Sequence, residues 1–371
     1  MKERLFELIE QGRRGGNIGL SMGFEKLEGY MDGYLPGVSY LIAAASGVGK
    51  STFMEYAMIY RPLMDWWHTE DPAKKARDPY WIIFNLEMTP EQIEAKLLSM
   101  YIYETYGEQI RFKEMFSRGR DSMLTDEHFE LIKHCEEFLD LLDERIVYKD
   151  GAFNAEKYKR ELETELKRFG KFENGDYIPN NPNQIIGVIV DHLSLTRASA
   201  GRSKKEEMDL VSSYAVQFRN KCTIVSPIMI MQFNRDSGNQ ERMKQGLQEP
   251  NANDLKDTGA VYEDSQVVLA LHSPLKFKLS QYRGYDIKIL GQNFISLILL
   301  KSRFGTSDIA LGLGFYGDCS IYKELPVASQ ITDYEKYKDP SWTLPSQMRA
   351  DFNQEDNSDA KSSNLVMSFN L

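Results

Sequence analysis

The part of this chain with the clearest chemical meaning is Ala44 to Thr52, which separates an apolar run from an amphipathic one. It reads Ala-Ala-Ser-Gly-Val-Gly-Lys-Ser-Thr and follows the spacing G-x-x-x-x-G-K-[ST], with alanine in the first position. In that pattern, backbone N–H groups and a helix N-terminus surround an anion. We therefore expect a site for ATP or a close relative; the alternative is a β–α turn that binds nothing.

The positions of this loop have distinct expected roles. Lys50 is expected to reach the β- and γ-phosphates, and Ser51 to hold Mg²⁺ through its hydroxyl. The other positions are expected to line the phosphates, mainly through their backbone: Ala45, Ser46, Gly47, Val48, Gly49 and Thr52. ATP and Mg²⁺ are the predicted cofactors.

Two carboxylates end other apolar runs. Asp191 follows Ile-Ile-Gly-Val-Ile-Val, where it suits a role on Mg²⁺ through water or through Ser51; the alternative is an aspartate that caps the next turn. Glu87 follows Trp-Ile-Ile-Phe-Asn-Leu and is the candidate general base, because hydrolysis needs a carboxylate that orients water. Taken alone, Glu87 is also an ordinary surface glutamate.

Three further polar residues end or follow apolar runs. Gln232 follows a run rich in Ile and Met and could contact the γ-phosphate; the alternative is an amide that caps a loop. Lys301 and Arg303 have the i, i+2 spacing that puts side chains on one side of a strand. Two such cations suit a phosphate on a neighbouring molecule, as in an arginine finger, or are a solvated pair at a hairpin.

Apolar runs alternate with helical patterns along the chain. The predicted strands are 38–43, 81–87, 145–149, 185–191, 224–231, 265–271 and 294–300. This order predicts an α/β fold with a mostly parallel central sheet flanked by helices, and ligands at the carboxyl ends of the strands. Five of the candidate residues are predicted to converge at those ends: Lys50, Glu87, Asp191, Gln232 and Arg303.

Composition limits the class of protein. The chain has 371 residues and a net charge of −10, so a nucleic-acid site would have to be local. Its three cysteines are far apart and indicate reduced thiols, without a metal or disulfide framework. No run approaches the roughly 18 apolar residues of a membrane span. A soluble, intracellular protein is expected.

Outside the predicted sheet, four segments have a recognisable character. Residues 2–12 predict a short amphipathic helix that docks on its own domain or on a neighbouring subunit. Residues 170–184 predict a Gly/Asn/Pro-rich loop, and residues 236–254 a polar, mobile one. From Tyr334 onward the chain predicts a polar tail that is disordered at its end.

Taken together and in their order along the chain, the phosphate loop and the polar residues at the strand ends resemble the ATPase domain of DnaB-type hexameric replicative helicases, which belong to superfamily four. The resemblance covers roughly residues 17–325 and includes a histidine, His192, where that family usually has tyrosine. The matching segments are 19–27, 44–51, 85–88, 191–195, 232–235, 255–259 and 301–305.

The resemblance implies a RecA-like P-loop NTPase that forms a ring, a hexamer of identical chains, with ATP at the subunit interfaces. One subunit would supply Lys50, Ser51, Glu87, Asp191 and Gln232, and the next would supply Lys301 and Arg303. Residues 2–12 resemble the family's linker helix, which packs on the adjacent subunit.

The resemblance also implies that single-stranded DNA passes through the ring and is held by two loops. One loop is 197–205, and the other is 236–259; the alternative for the first is a solvated turn before a helix. The expected DNA-binding residues are Arg202, Lys204, Lys205, Arg242, Lys244, Lys256 and Gly259.

The expected division of the chain is a linker helix (1–16), an ATPase domain (17–330) and a tail (331–371). The family's N-terminal primase-binding domain is not seen, which predicts a compact helicase and leaves a primase or loader partner open. The predicted function is an ATP-dependent ring helicase in the cytoplasm of a bacterial or virus-infected cell, which unwinds duplex DNA during replication. Alternatives are a RecA- or clock-type ATPase and a non-hydrolysing ATP-binding assembly factor.

Overall fold

A sheet of nine strands lies at the centre of the structure, a computed structural model that describes residues 2–13, 17–119, 122–149, 151–233 and 249–345. The strands in these residues are β1 (Tyr40–Ala44), β2 (Tyr80–Asn85), β3 (Ile146–Lys149), β4 (Gly170–Glu173), β5 (Asp176–Pro179), β6 (Ile186–Asp191), β7 (Val225–Gln232), β8 (Val267–His272), β9 (Gln281–Tyr282), β10 (Tyr285–Asp286), β11 (Phe294–Ser302), β12 (Ile309–Tyr316) and β13 (Ile321–Glu324). The order across the main sheet is β13-β12-β11-β8-β1-β7-β6-β2-β3.

Helices connect the strands. Those in the described residues are α1 (Lys2–Arg13), α2 (Glu25–Met31), α3 (Lys50–Met54), α4 (Arg61–His68), α5 (Pro72–Lys75), α6 (Pro90–Tyr106), α7 (Phe112–Met115), α8 (Asp126–His134), α9 (Glu136–Arg145), α10 (Ala155–Leu166), α11 (Lys204–Lys221), α12 (Gly259–Asp264) and α13 (Ile287–Leu290). Between α3 and α4 the chain continues as a π-helix, Glu55–Tyr60. We refer to residues 50–68 together as the P-loop helix.

The middle of the sheet is parallel and covered on both faces. Strands β1, β2 and β6 are buried along their whole length, as expected of parallel strands that read as continuous apolar runs. Tyr40 and Ile42 of β1 belong to one apolar cluster, and Leu41 and Ala43 belong to the cluster on the opposite face. This arrangement confirms the predicted α/β class with a mostly parallel sheet.

The sheet changes direction at β11, which runs antiparallel to β8. Ser302, at the carboxyl end of β11, lies beside Val267, where β8 begins, and Val267 in turn lies beside Tyr40, where β1 begins. The prediction that Arg303 joins Lys50 at one edge of the sheet is therefore wrong for a single chain. Since β11 is reversed, its carboxyl end lies at the edge where the parallel strands start.

Residues 170–184 were predicted to be a loop, and this prediction is wrong. Strands β4 and β5 pair there as an antiparallel hairpin. The turn between them is Asn174-Gly175, and both residues have positive φ, 50° and 92°. Asn-Gly is the preferred sequence for a two-residue hairpin turn of this kind. Strands β12 and β13, which extend the sheet beyond β11, were also absent from the prediction.

Both ends of the described chain carry ordered elements. Helix α1 is present where a helix was expected, and its side chains Leu5, Phe6 and Ile9 are exposed. At the other end, the backbone carbonyl of Tyr337 accepts a hydrogen bond from the Tyr316 hydroxyl (2.7 Å), and Leu344 is buried. Among the described residues, every helix is too short or too polar to cross a lipid bilayer.

Candidate nucleotide site

The loop between β1 and α3 has the backbone shape of a phosphate cradle. Gly47 and Gly49 have φ of 68° and 91°, in the left-handed region that favours glycine. The Gly49 carbonyl accepts a hydrogen bond from the Tyr322 hydroxyl (3.0 Å), and a Cβ on Gly49 would collide with that hydroxyl. Lys50 is buried and begins α3, so the loop leads directly into a helix N-terminus.

Asp191 lies next to this loop and fits a role in holding a divalent cation. It ends β6 and is buried, and the Ser51 hydroxyl lies near enough to lower its pKa. Burial raises its pKa, while Ser51 and the Lys50 ammonium oppose that effect. Its Oδ1 atom is buried without a hydrogen-bond partner among the described residues. A bound cation, or a water molecule on that cation, would supply the missing partner.

The oxygen atoms of Ser51 and Asp191 suit a Mg²⁺ ion that takes most of its ligands from nucleotide and water. No group of three or more His, Cys, Asp or Glu side chains arranged to hold a metal occurs in the described part of the chain. Mg²⁺ in nucleotide sites commonly takes one or two protein oxygens and completes its shell with phosphates and water. Ser51 and Asp191 together match that requirement.

The loop after β2 presents Glu87 to the same edge of the sheet. Strand β2 pairs with β6 so that Asn85 lies beside Asp191. The Asn85 side chain shapes the loop: its Oδ1 accepts hydrogen bonds from the backbone N–H groups of Glu87 (2.9 Å) and Met88 (3.2 Å), and its Nδ2 donates to the Met88 carbonyl (3.0 Å). The Glu87 side chain is about 40% exposed, so solvent reaches it.

His192 is a site residue whose contact the sequence did not predict. Its Nε2 lies 3.0 Å from Glu87 Oε1, and its Nδ1 lies 2.5 Å from Ser194 Oγ. Burial lowers the pKa of His192, and the nearby Glu87 carboxylate opposes that shift. In the sequence, the only sign of an unusual role was a histidine at a position where the resembled family usually has tyrosine. That difference does not predict a contact between the ring and Glu87.

Gln232 is the last residue of β7 and lies beside Ala44, where the phosphate loop begins. The backbone N–H of Phe233 donates to the Ala44 carbonyl (3.1 Å), which fixes this end of β7 against the loop. The Gln232 side chain is exposed at the same edge as Lys50. Of the five residues predicted to converge at the carboxyl ends of the strands, Lys50, Glu87, Asp191 and Gln232 therefore lie at one edge of the sheet, and Arg303 does not.

Lys301 and Arg303 lie at the opposite edge. Lys301 Nζ donates to the carbonyls of Tyr262 (2.8 Å) and Glu263 (3.0 Å), and burial followed by the Arg303 charge lowers its pKa. Arg303 is exposed, and its backbone N–H donates to the Gln266 carbonyl (3.0 Å). Neither cation reaches the phosphate loop of its own chain.

The residues predicted to bind DNA have different surroundings. Lys204 and Lys205 are exposed in the first turn of α11, so they belong to a helix and not to a loop. Arg202 is exposed and lies 3.9 Å from carboxylate oxygens of Glu156 and Glu207, which offset part of its charge.

The second predicted DNA loop is only partly described. Arg242 and Lys244 lie outside the described residues, as does the side chain of Lys256. The backbone around Lys256 forms a 3₁₀-helix, Ala252–Thr258, and Gly259 begins α12, so the prediction of a loop over 255–259 is wrong. The Asn251 side chain starts that helix by accepting from the Asn253 N–H (2.9 Å).

A cavity of about 530 Å³ opens beside the phosphate loop. Its lining includes Gly47 and Val48 of the phosphate loop, Phe315 and residues 338–340. Lys276, in the turn after β8, donates to the Ser46 carbonyl (2.6 Å) at its rim. The phosphate cradle thus continues into a space bounded by aromatic, cationic and amide groups.

Comparison with known proteins agrees with this arrangement. The chain is 24% and 22% identical over 294 residues to the replicative DNA helicase DnaB of two Helicobacter pylori strains, ATCC 700392 / 26695 and J99 / ATCC 700824. Each alignment covers 77% of this chain and 50% of the relative, so the chain spans about half the length of these relatives.

Solved structures share the fold. One of them, described as an ATPase domain, has a TM-score of 0.64 and 17% identity, over 88% of this chain and 98% of that one. A DnaB-like replicative helicase, solved in a study of its interactions with primase, has a TM-score of 0.63 and 17% identity, over 87% and 67%. The family model described as DnaB-like helicase C terminal domain matches residues 19–324. Because that match covers most of the chain, this protein belongs to the DnaB-like helicase C-terminal domain family.

Proposed function

We propose that this chain is a subunit of an ATP-driven ring helicase that translocates on single-stranded DNA and unwinds duplex during replication. One observation carries the proposal. Lys50, Ser51, Asp191 and Glu87 meet at one edge of the sheet, whereas Arg303 lies at the opposite edge. A complete hydrolytic site would therefore need two chains, as in a ring with ATP between subunits. Membership of the DnaB-like family supports the same function.

Within one subunit, the phosphate loop would hold the triphosphate. Backbone N–H groups of residues 45–52 and the Lys50 ammonium would offset its charge. Ser51 and Asp191 would hold Mg²⁺, which supplies charge neutralisation across the phosphates when bound. The cavity beside the loop has room for the sugar and base.

Glu87 would act as general base. Its carboxylate would orient a water molecule toward the γ-phosphate and take up the proton at an Oε atom, while His192 Nε2 holds the side chain in place. Gln232, at the end of β7, would contact the γ-phosphate and report its loss. Lys301 and Arg303 of the next subunit would stabilise charge that develops during transfer.

DNA contacts would come from the basic residues near the start of α11 and from the second loop. Exposure of Arg202, Lys204 and Lys205 supports the first contact, since their charges can reach a phosphate strand. Arg242, Lys244, Lys256 and Gly259 are proposed for the second on the resemblance alone. A few cations from each subunit, repeated around a ring, can hold DNA although the chain carries a net charge of −10.

We also propose the division into linker helix (1–16), ATPase domain (17–330) and tail (331–371). The exposed Leu5, Phe6 and Ile9 of α1 support docking of this helix on a neighbouring subunit. The assembly proposed is a homohexamer in the cytoplasm of a bacterial or virus-infected cell, with a primase or a loader as a further partner class.

The test is the ATPase rate of the purified chain with and without single-stranded DNA, together with its mass in the presence of nucleotide. We expect hydrolysis that single strands stimulate and a mass of about six chains. A monomer whose hydrolysis ignores DNA would refute the proposal. Strand exchange without unwinding would instead favour a recombinase.

A further inference from the structure

A buried ion pair connects two helices near the nucleotide site. Glu55 lies on the P-loop helix one turn beyond Ser51 and is about 1% exposed. Lys96 lies on α6, and its Nζ is 3.1 and 3.0 Å from the two Glu55 oxygens. Replacing both members of a buried pair by apolar residues is often neutral or stabilising. Stability alone is therefore a weak reason for these two charges.

Lys96 also contacts the loop that carries the candidate general base. Its Nζ lies 3.3 Å from the Sδ atom of Met88, the residue directly after Glu87. The Asn85 side chain holds the same loop from the strand side, through the backbone of Glu87 and Met88. The loop is thus held between an amide at the end of β2 and an ammonium on α6.

We propose that the Glu55–Lys96 pair is a positioning device that ties the P-loop helix to the Glu87 loop. The helix that starts at Lys50 and Ser51 would thereby set where the general base stands relative to the triphosphate. Neither Glu55 nor Lys96 is expected to touch nucleotide, so the pair acts through Glu87. Because a small misplacement of reacting groups slows a reaction strongly, the pair should govern turnover and leave nucleotide binding unchanged. This inference rests on the proposed ATPase function.

A second ion pair between the same two helices provides a matched control. Arg61 Nη1 lies 2.7 Å from Glu104 Oε2. On the P-loop helix Arg61 follows Glu55 by six residues, and on α6 Glu104 follows Lys96 by eight residues. The hydroxyls of Tyr56 and Tyr60 also donate to Glu104, at 3.4 and 3.1 Å. All these contacts stay within the two helices, so this pair joins them without touching the Glu87 loop.

The experiment compares two double variants of the full chain, Glu55→Met with Lys96→Met and Arg61→Met with Glu104→Gln. The glutamine keeps an acceptor for the Tyr56 and Tyr60 hydroxyls. The double substitution avoids an uncompensated buried charge, which would threaten folding. We expect the first variant to lose about tenfold or more in kcat, with unchanged affinity for a fluorescent non-hydrolysable ATP analogue. The control should keep the wild-type kcat. Amide hydrogen exchange at Glu87 and Met88 should become faster in the first variant only.

Two results would overturn the inference: wild-type kcat and wild-type exchange in the first variant, or equal losses of kcat in both variants. A wild-type chain that does not hydrolyse ATP would instead refute the proposed function. In that case the exchange measurement still decides whether the pair holds the loop, because it needs no turnover.

Discussion

At the scale of single residues, the contact between His192 and Glu87 has a defined direction. A carboxylate only accepts hydrogen bonds, so the His192 Nε2 atom, 3.0 Å from Glu87 Oε1, must carry a proton. Because burial lowers the pKa of His192, the ring is neutral near pH 7 and its Nδ1 accepts. The Ser194 hydroxyl, 2.5 Å away, is then the donor to Nδ1. This chain of two hydrogen bonds orients Glu87.

The proposed role of Glu87 as general base predicts that one substitution affects turnover and leaves nucleotide binding unchanged. Glu87→Gln should lower the ATPase rate by about 100- to 10,000-fold, because an amide of the same shape cannot take a proton. Affinity for a fluorescent ATP analogue should stay unchanged. The control is Glu91→Gln, an exposed carboxylate in the first turn of α6, which should hydrolyse ATP normally. Normal turnover in Glu87→Gln would exclude it as the base.

His272 predicts a dependence of stability on pH. It is buried against the rings of Phe277 and Tyr282, and burial lowers its pKa to about 4, although the Glu249 carboxylate opposes this. Between about pH 6.5 and 4 the unfolded chain therefore binds the proton better than the folded one. The free energy of unfolding should fall as pH falls through this window, by about 3 kcal/mol in total.

The substitution His272→Phe removes this titration and keeps an aromatic ring in the cluster. Urea unfolding at fixed protein concentration should then lose less stability between pH 7 and pH 4 than the wild-type chain does. At pH 8 the histidine is neutral in both states, so a comparison there isolates the packing effect of the substitution. An unchanged pH slope would contradict the assignment.

At the scale of elements, α11 has a sharply defined start that carries two exposed lysines. The Ser203 side chain accepts from the Glu206 N–H (3.3 Å), and the Glu206 carboxylate accepts from the Ser203 N–H (2.7 Å), which forms a capping box. Lys204 and Lys205 follow directly and are exposed. The carboxylates of Glu206 and Glu207 lie in the same first turn, so the turn has no net charge. What a phosphate strand would contact is therefore the two exposed lysine side chains, and not a generally positive helix start.

Replacing Lys204 and Lys205 by glutamine should weaken binding of single-stranded DNA and reduce its salt dependence. The slope of log K against log salt should fall by about 0.7 for each phosphate that the variant no longer neutralises. Fluorescence anisotropy at several salt concentrations would measure it. The matched control replaces Lys167 and Lys221, at the far ends of α10 and α11, by glutamine. Equal effects in the two variants would indicate only a general effect of charge.

The elements that the sequence predicted well are those with continuous apolar runs. Strands β1 and β6 lie close to their predicted bounds because burial on both faces leaves no polar interruption. Strand β12 contains Gly312 and Gly314, which weaken a strand pattern, and it was missed. The β4–β5 hairpin was missed although Asn174-Gly175 is a recognisable turn signal.

The candidate site was predictable where one local motif determines it. The glycines of the phosphate loop and the carboxylate that ends β6 are readable from single segments. The direction of β11 cannot be predicted from a single segment, because an apolar run has the same pattern whether its neighbouring strand is parallel or antiparallel. The contact between His192 and Glu87 depends on the pairing of β6 with β2, and no single segment contains that information.

At the scale of the whole molecule, the proposed reaction would use two different surfaces of the chain. The edge with Lys50 and Asp191 offers a cradle, and the edge with Arg303 offers a cation. A contact that joins such unlike surfaces is head-to-tail, and it closes into a ring if the rotation between neighbours permits. This geometry favours shared sites over sites complete in one chain.

Mixing two inactive variants should test that sharing. Lys50→Ala removes the cradle lysine and Arg303→Ala removes the cation, so each variant alone should lack ATPase activity. In a mixed ring, an Arg303→Ala chain next to a Lys50→Ala chain forms an intact interface, and activity should partly return. The ATPase rate of the mixture, measured over a range of ratios, gives the result.

The control mixture combines Arg303→Ala with a chain that carries both substitutions, because no interface in it is intact. This mixture should remain inactive at every ratio. If the mixture of Lys50→Ala and Arg303→Ala also stays inactive, Arg303 acts within its own chain. That result would contradict the position of Arg303 directly after β11.

The reversal of β11 has a consequence for an isolated subunit of the proposed ring. If Arg303 acts on the neighbouring site, as proposed, a chain released by dilution would bind ATP without hydrolysing it, because the cation comes from another chain. The direction of one strand would then restrict ATP hydrolysis to the assembled form.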